Sequence, residues 1–216
     1  RDVLTRALGR NPGIVVAALD WLTNLQDDKT EELSLIESGK LENMLERAVV
    51  DSMTGLYDHD TLLTLLKKEI ERARRHAETI AFLLLDLDDF KQINDEYGHQ
   101  KGDEVLAKVA DIIRETLRTM DIAGRYGGEE FAAILPETDM TAAAQSAERL
   151  RDAIAERFRQ DVQLTISVGI ACFPDHGTGV DTLVKMADDA LYQAKAEGKN
   201  RVVSARDSRA VRVRND

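Results

Sequence analysis

Two clusters of carboxylates carry the chemistry this sequence offers. One is Arg125-Tyr126-Gly127-Gly128-Glu129-Glu130-Phe131, where two glycines precede two adjacent acids. The other is Asp86-Leu87-Asp88-Asp89, which follows directly on the apolar run Ile80-Ala81-Phe82-Leu83-Leu84-Leu85. Neighbouring carboxylates repel unless a cation lies between them and a partner. Acids from two separate strand ends, with backbone carbonyls beside them, supply the incomplete oxygen shell that Mg²⁺ prefers when phosphate oxygens complete it. Gly127 and Gly128 permit positive φ and put no Cβ in the way of a phosphate lying against the turn. Taken alone, a Gly-Gly-Glu-Glu turn is a solvated hairpin tip; the acids upstream shift the expectation towards a metal and phosphate site.

Such residues need strands to hold them. The run over 80–85, ended abruptly by acids, predicts a buried strand. Ile122 and Ala123 before the glycines and Phe131 to Leu135 after them predict strand, turn, strand, with the acids at the hairpin tip. From Thr61, the spacing of Leu62, Leu63, Leu66 and Ile70 among charged residues predicts an amphipathic helix. Residues 91–99 follow no period. Gly98 and Gly102 are expected to mark turns before a helix from about Asp103 to Leu117, with Val105, Leu106, Val109, Ile112 and Ile113 facing inward. A helix over 142–158, a strand over 162–171, a helix over 182–196 closed by Gly198 and a strand over 201–203 follow. This order suits an α+β sheet of the β-α-β-β-α-β type.

From Asp86 to Asp103 the residues read Asp-x-Asp-x-Phe-Lys-x-x-Asn-Asp-x-x-Gly-His-x-x-Gly-Asp, and Arg-Tyr-Gly-Gly-Glu-Glu-Phe follows. Together they resemble the GGDEF family of diguanylate cyclases, in its GGEEF variant. Asp51-Ser52-Met53-Thr54-Gly55-Leu56 resembles that family's opening motif, with Met53 in place of leucine, and Asp58-His59 stands where asparagine-arginine is usual. His59 is expected to be simply exposed. The resemblance covers roughly residues 51–203. It implies a palm-like core shared with nucleotide cyclases and condensation of two GTP into cyclic di-GMP with release of pyrophosphate.

The resemblance also implies roles. Asp86, the carbonyl of Leu87 and Glu129 would hold Mg²⁺, for which Mn²⁺ is an alternative; Glu129 is further implied as proton acceptor, although a metal-bound carboxylate is a weak base. Lys91 would stabilise the transition state, while Asp88 and Glu130 would orient the shell. Asn94 and Asp103 would read guanine, a carboxylate accepting from its N1 and N2 donors. Phe90, His99, Gly127 and Gly128 would line the substrate, and Lys195 and Lys199 would contact the triphosphate. A lone histidine before a helix is more often structural, and lysines are commonly exposed. The Arg118-x-x-Asp121 spacing matches an inhibitory product site, with Arg149 as a second arm. Two GTP must meet, so the catalytic unit would be a homodimer. The competing readings are a catalytically silent receptor for cyclic di-GMP or GTP, which the intact acids oppose, and another nucleotide cyclase, which Asn94 and Asp103 oppose.

At 216 residues one main domain is expected. The net charge of −11 opposes nucleic-acid binding, which needs a basic footprint. The lone Cys172 excludes an internal disulfide and suits a small buried apolar position. No apolar run approaches the roughly 18 residues of a membrane span, and Arg1-Asp2-Val3-Leu4 shows no signal-peptide pattern. A cytoplasmic protein is expected, with any membrane attachment through an upstream region. Residues 1–50 read as helical, with Ile14, Val15, Ala18, Leu19, Leu22 and Leu25 on one face and too few heptads for a coiled coil. They are either a linker from an upstream sensor or a packing appendage. The polar, arginine-rich tail over 204–216 is expected to be disordered.

Overall fold

The computed structural model describes residues 49–206. The helices expected before residue 49 and the tail beyond residue 206 lie outside the described residues. In chain order the elements are α1 (His59–His76), β1 (Ile80–Leu87), α2 (Phe90–Tyr97), α3 (His99–Thr116), β2 (Ile122–Arg125), β3 (Glu130–Pro136), α4 (Met140–Phe158), β4 (Ile166–Phe173), α5 (Val180–Ala196) and β5 (Val202–Ser204). From β1 to β4 this is the expected β-α-β-β-α-β arrangement, with α2 and α3 together forming the first crossover. The sheet order is β2-β3-β1-β4-β5, with β1 antiparallel to both neighbours and β5 parallel to β4.

The central strand β1 is buried along its whole length because helices cover both faces of the sheet. Its even-numbered side chains Ile80, Phe82 and Leu84 join Leu62, Leu66 and Ile70 of α1 and Leu183, Ala187 and Leu191 of α5. Its odd-numbered side chains Ala81, Leu83, Leu85 and Leu87 join Val105, Val109 and Ile113 of α3 and Leu150, Ile154 and Phe158 of α4. Burial on both sides removes any need for polar alternation, hence the unbroken apolar run. Each large side chain so withdrawn from water contributes roughly 1.5–3 kcal/mol, which makes β1 a rigid base for the acids at its end. No helix of the described residues is long and apolar enough to cross a membrane.

Several boundaries differ from expectation. The stretch without a period is helix α2, eight residues long with only Phe90 and Ile93 buried, too short to show a stripe. Helix α3 begins at His99, and of the two glycines only Gly98 is a turn, at φ 84. Gly102 lies inside the helix, where a Cβ would stand 2.0 Å from Asn94 Oδ1 and 3.2 Å from the Phe90 ring. Strand β4 starts at Ile166 rather than Val162, since Gln163 takes φ 53 and breaks the extended backbone. Helix α1 starts at His59 because Asp58, the departure from the family pattern, is its N-cap and accepts from the Thr61 amide at 2.8 Å. Helix α5 closes at Glu197, followed by Gly198 at φ 113.

Candidate active site

The sheet register brings the two acidic clusters together. Asp86 is the direct cross-strand partner of Glu130 on β3 and of Ser167 on β4, so their side chains share one face. The Leu87 amide donates to the Glu129 carbonyl at 3.2 Å, which fastens the hairpin tip to the end of β1. The same face carries α5. A Cβ at Gly169 of β4 would lie 2.1 Å from the Ala187 carbonyl oxygen and 2.4 Å from the Leu191 nitrogen, so only glycine lets this helix lie so close. That approach delivers Lys195, whose Nζ sits 2.7 Å from Asp86 Oδ2.

The carboxylates are electrostatically loaded. Asp86 is 5% exposed, and burial pushes its carboxyl above the ordinary range despite the Lys195 ammonium. Burial, then the Asp86 charge, raises Glu129 and Glu130 as well, and Asp188 on α5 adds to the repulsion at Glu130. The same burial and the charges of Glu130 and Asp188 raise the Tyr126 phenol. Asp86, Glu129 and Glu130 are hard oxygen donors of the kind that suits a divalent cation of the Mg²⁺ type, although among the described residues no three acidic, histidine or cysteine side chains stand close enough together to hold one. Glu130 also explains Gly127: a Cβ there would meet Glu130 Oε2 at 2.4 Å. Positive φ is not what the turn glycines provide, because among the described glycines it occurs at Gly55, Gly98 and Gly198. At Gly128 a Cβ would meet nothing within 4 Å, so the backbone is open to an approaching group.

A device that the sequence left without a role holds this turn. Arg125 donates through Nη2 to the Gly128 carbonyl at 2.7 Å and through Nε to the Gly127 carbonyl at 3.2 Å. Its Nη1 bonds Asp51 at 3.2 and 3.3 Å. Burial pushes the Asp51 carboxyl up, but hydrogen bonds from the Thr54 hydroxyl and amide, with the Arg125 charge, hold it below the ordinary range. His59 is exposed, as expected, and its ring lies near that of Tyr126, with centroids 4.8 Å apart.

The expected base readers lie across α2 and α3. Asn94 fills the space that Gly102 leaves, and Asp103, the residue after Gly102, is exposed. Phe90 is buried beneath them, while His99 opens α3 and is exposed, as is Lys91 in the first turn of α2. Lys199 reaches the same strand end, its Nζ 2.5 Å from Asp89 Oδ1. The Asp88 charge acts on Asp86, and Asp88 is itself held by the fold. Its carboxylate accepts from Thr165 Oγ1 at 2.7 Å, Ser167 Oγ at 2.6 Å and the Asn200 amide at 3.0 Å.

Arg118 and Asp121 form a tight turn before β2: the Arg118 amide donates to Asp121 Oδ2 at 2.9 Å and the Asp121 amide to the Arg118 carbonyl at 3.0 Å. The Arg118 side chain is exposed, and Asp121 Oδ1 is buried without a hydrogen-bond partner. Arg149 is exposed on α4 and donates to Ser146 Oγ at 3.0 Å. Cys172 is buried on β4, and its thiol is pushed up to about 12 by burial, in keeping with an inert core position.

The domain is thus a five-stranded α+β sheet with acids at the end of its central strand, Lys195 on Asp86 and Lys199 on Asp89. The family model described as diguanylate cyclase, GGDEF domain, matches residues 48–201, and the chain belongs to that family. It is 38% identical over 169 residues to response regulator PleD of Caulobacter vibrioides, covering 76% of this chain and 37% of PleD. It is 39% identical over 166 residues to diguanylate cyclase DgcP of Pseudomonas aeruginosa, covering 75% of this chain and 25% of DgcP. The chain thus spans well under half the length of these relatives. The crystal structure of the coiled coil and GGDEF domain of DgcB from Caulobacter crescentus in complex with c-di-GMP is similar at a TM-score of 0.71 and 32% identity, over 80% of this chain and 95% of that one. The active GGEEF domain of a diguanylate cyclase from Vibrio cholerae gives a TM-score of 0.66 at 32% identity, over 70% and 98%.

Proposed function

We propose that this chain condenses two GTP into cyclic di-GMP with release of pyrophosphate, as a homodimer in which each copy presents one nucleotide. The observation that carries this is the pairing of Asp86 with Glu130 across β1 and β3, with Glu129 at the hairpin tip just before it and the Lys195 ammonium 2.7 Å from Asp86. Asp86, the Leu87 carbonyl and Glu129 would hold Mg²⁺, or Mn²⁺ in its place. When bound, such an ion neutralises charge developing on the phosphates. Lys195 and Lys199 flank the strand end and supply positive charge to the triphosphate, with Lys91 close by in the chain on α2. Gly127 and Gly128 keep the turn backbone accessible, and the Arg125 clamp keeps it fixed. Asn94 and Asp103 take the guanine edge, with Phe90 beneath and His99 at the rim; an adenine would leave the Asp103 carboxylate without its donors. Nucleophile and leaving group are brought in line by the meeting of two such faces, which is the reason for the dimer.

Product inhibition through Arg118, Asp121 and Arg149 belongs to the same proposal. An exposed guanidinium takes phosphate or guanine bidentately. The backbone of the Arg118–Asp121 turn is already fixed, so little ordering is needed for a ligand to dock there. Incubation of the protein with GTP and Mg²⁺, with products resolved by chromatography, tests the central reading. Cyclic di-GMP is the expected product, and linear or monomeric cyclic products would replace the assignment with another cyclase chemistry.

A further inference from the structure

The backbone after α5 takes an uncommon path. Lys199 at φ 61 and Asn200 at φ 47 are consecutive non-glycine residues in the left-handed region. Side chains disfavour that region, and it persists only where the surroundings over-determine it. Several contacts do so here. The Lys199 amide donates to the Ala194 carbonyl at 3.1 Å, and the Lys199 carbonyl accepts from Arg201 Nε at 3.2 Å. Asn200 Oδ1 accepts from Arg151 Nη1 at 2.8 Å. The innermost contact is the Asn200 amide on Asp88 Oδ2 at 3.0 Å.

Asp88 is well placed to be a fixed point. It is 6% exposed, its own amide donates to the Thr165 carbonyl at 2.9 Å, and its carboxylate takes the Thr165 and Ser167 hydroxyls. Those bonds tie it to the start of β4. Its remaining acceptor capacity goes to a loop 112 residues away in sequence. That loop carries Lys199, whose ammonium rests on Asp89, the residue next to Asp88. The backbone of the loop is therefore gripped by one acid and its side chain by the next.

We propose that Asp88 is a positioning residue that fixes the Lys199–Asn200 turn and so presents the Lys199 ammonium to the triphosphate of the nucleotide. The inference rests on the reading of the site as one that takes GTP. It differs from a merely structural role in what it predicts for binding. An anchor for a phosphate-contacting lysine changes KM and leaves kcat, because the contact is made equally in ground and transition states.

Steady-state kinetics with GTP and Mg²⁺ on the full chain, beside thermal melts, test this with three variants. Asp88→Ala is expected to raise KM for GTP about tenfold, the scale of one hydrogen bond to a charged group, with kcat within about twofold. Asp88→Asn is expected to restore KM. Its amide oxygen accepts from the Asn200 N–H while its amino group donates to the Ser167 hydroxyl, which rotates to accept. Ser167→Ala removes a partner of Asp88 without freeing the loop, so it lowers Tm and leaves KM unchanged. Should Asp88→Ala not fold, Asp88→Ser, too short to reach Asn200, carries the same expectation. An unchanged KM in Asp88→Ala, or an equal rise in Ser167→Ala, overturns the proposal. Calorimetric titration with inorganic triphosphate separates it from the activity it rests on. Binding by wild type without cyclic di-GMP formation would overturn the activity alone, whereas equal affinity in wild type and Asp88→Ala would overturn the positioning role.

Discussion

Asp86 and Asp88 stand two residues apart at the end of one strand, 5% and 6% exposed, and they are used in opposite ways. Asp88 is surrounded by donors that belong to the fold: two hydroxyls and one backbone amide. Asp86 repels Glu129 and Glu130, and its close cationic partner is the Lys195 ammonium. A buried acid with a full set of local donors is structural, because burial is offset within the fold. A buried acid aimed at other acids stays destabilised even with one ammonium beside it, and that distinction marks the site more sharply than burial or charge alone.

The strongest way to break this contrast is to neutralise each acid in turn. Asp86→Asn or Glu129→Gln is expected to lower the rate of cyclic di-GMP formation by roughly a thousandfold or more, the scale seen when a preorganised electrostatic partner of the transition state is lost, with Tm unchanged or raised. Asp88→Ala reverses the pattern of stability. It leaves an amide and two hydroxyls without their acceptor, at a cost of about 1–3 kcal/mol, and so lowers Tm by several degrees. Product chromatography and melting curves on the same samples check both. If Asp86→Asn unfolds the protein and Asp88→Ala does not, the division of roles is wrong.

The next effect tests whether Asp103, exposed on α3, is a reader rather than surface charge. Asp103→Ala is expected to reduce the preference for GTP over ATP roughly tenfold to a hundredfold, as a charged acceptor for guanine's donors is lost. Competition between the two nucleotides measures it, and an unchanged ratio excludes Asp103 from base selection. Smaller again, Arg118→Ala is expected to raise the cyclic di-GMP concentration for half-inhibition at least about tenfold, through loss of one bidentate contact. Equal sensitivity to product in variant and wild type would leave the turn an inert piece of surface.

The smallest effect is a pH dependence. Burial, then the Asp86 charge, raises the Glu130 carboxyl above the ordinary glutamate value of 4.5. The folded state thus holds that proton more tightly than the unfolded chain. The stability this confers is complete below about pH 4.5 and is lost as pH rises through the raised value. Glu130→Gln removes the dependence. Its Tm should exceed that of wild type by a few degrees at most at pH 7, and the two should converge as the pH falls below the ordinary value. A gap that does not change with pH would show that the acids are not coupled through ionisation.

The central strand and its acids are legible in the sequence because burial on both faces leaves an unbroken apolar run, and the charges at its end then stand out. The hairpin is legible for a similar reason, since Gly127 and Gly128 interrupt two apolar segments. Local signals mislead where a residue answers to a distant one. Gly102 resembles a turn marker, yet its smallness serves Asn94 across a helix junction. Asp88 resembles its neighbour Asp86, but the amide that defines its role is 112 residues away. Arg125 lies in plain view within the motif, while Asp51, which completes its clamp, is 74 residues earlier. Nothing in the spacing of Gly169 announces that a helix backbone lies 2.1 Å from where its Cβ would be.

The space at Gly102 carries a lesson for judging relatives by their motifs. A single methyl group there would displace the Asn94 amide and press on the Phe90 ring while leaving every acid, lysine and glycine of the hairpin untouched. A descendant with alanine at this position would keep every charged residue of both motifs and the Gly-Gly-Glu-Glu turn and yet have lost the placement of Asn94. Inheritance of the charged residues and inheritance of their arrangement can therefore part company at a residue that bears no functional group.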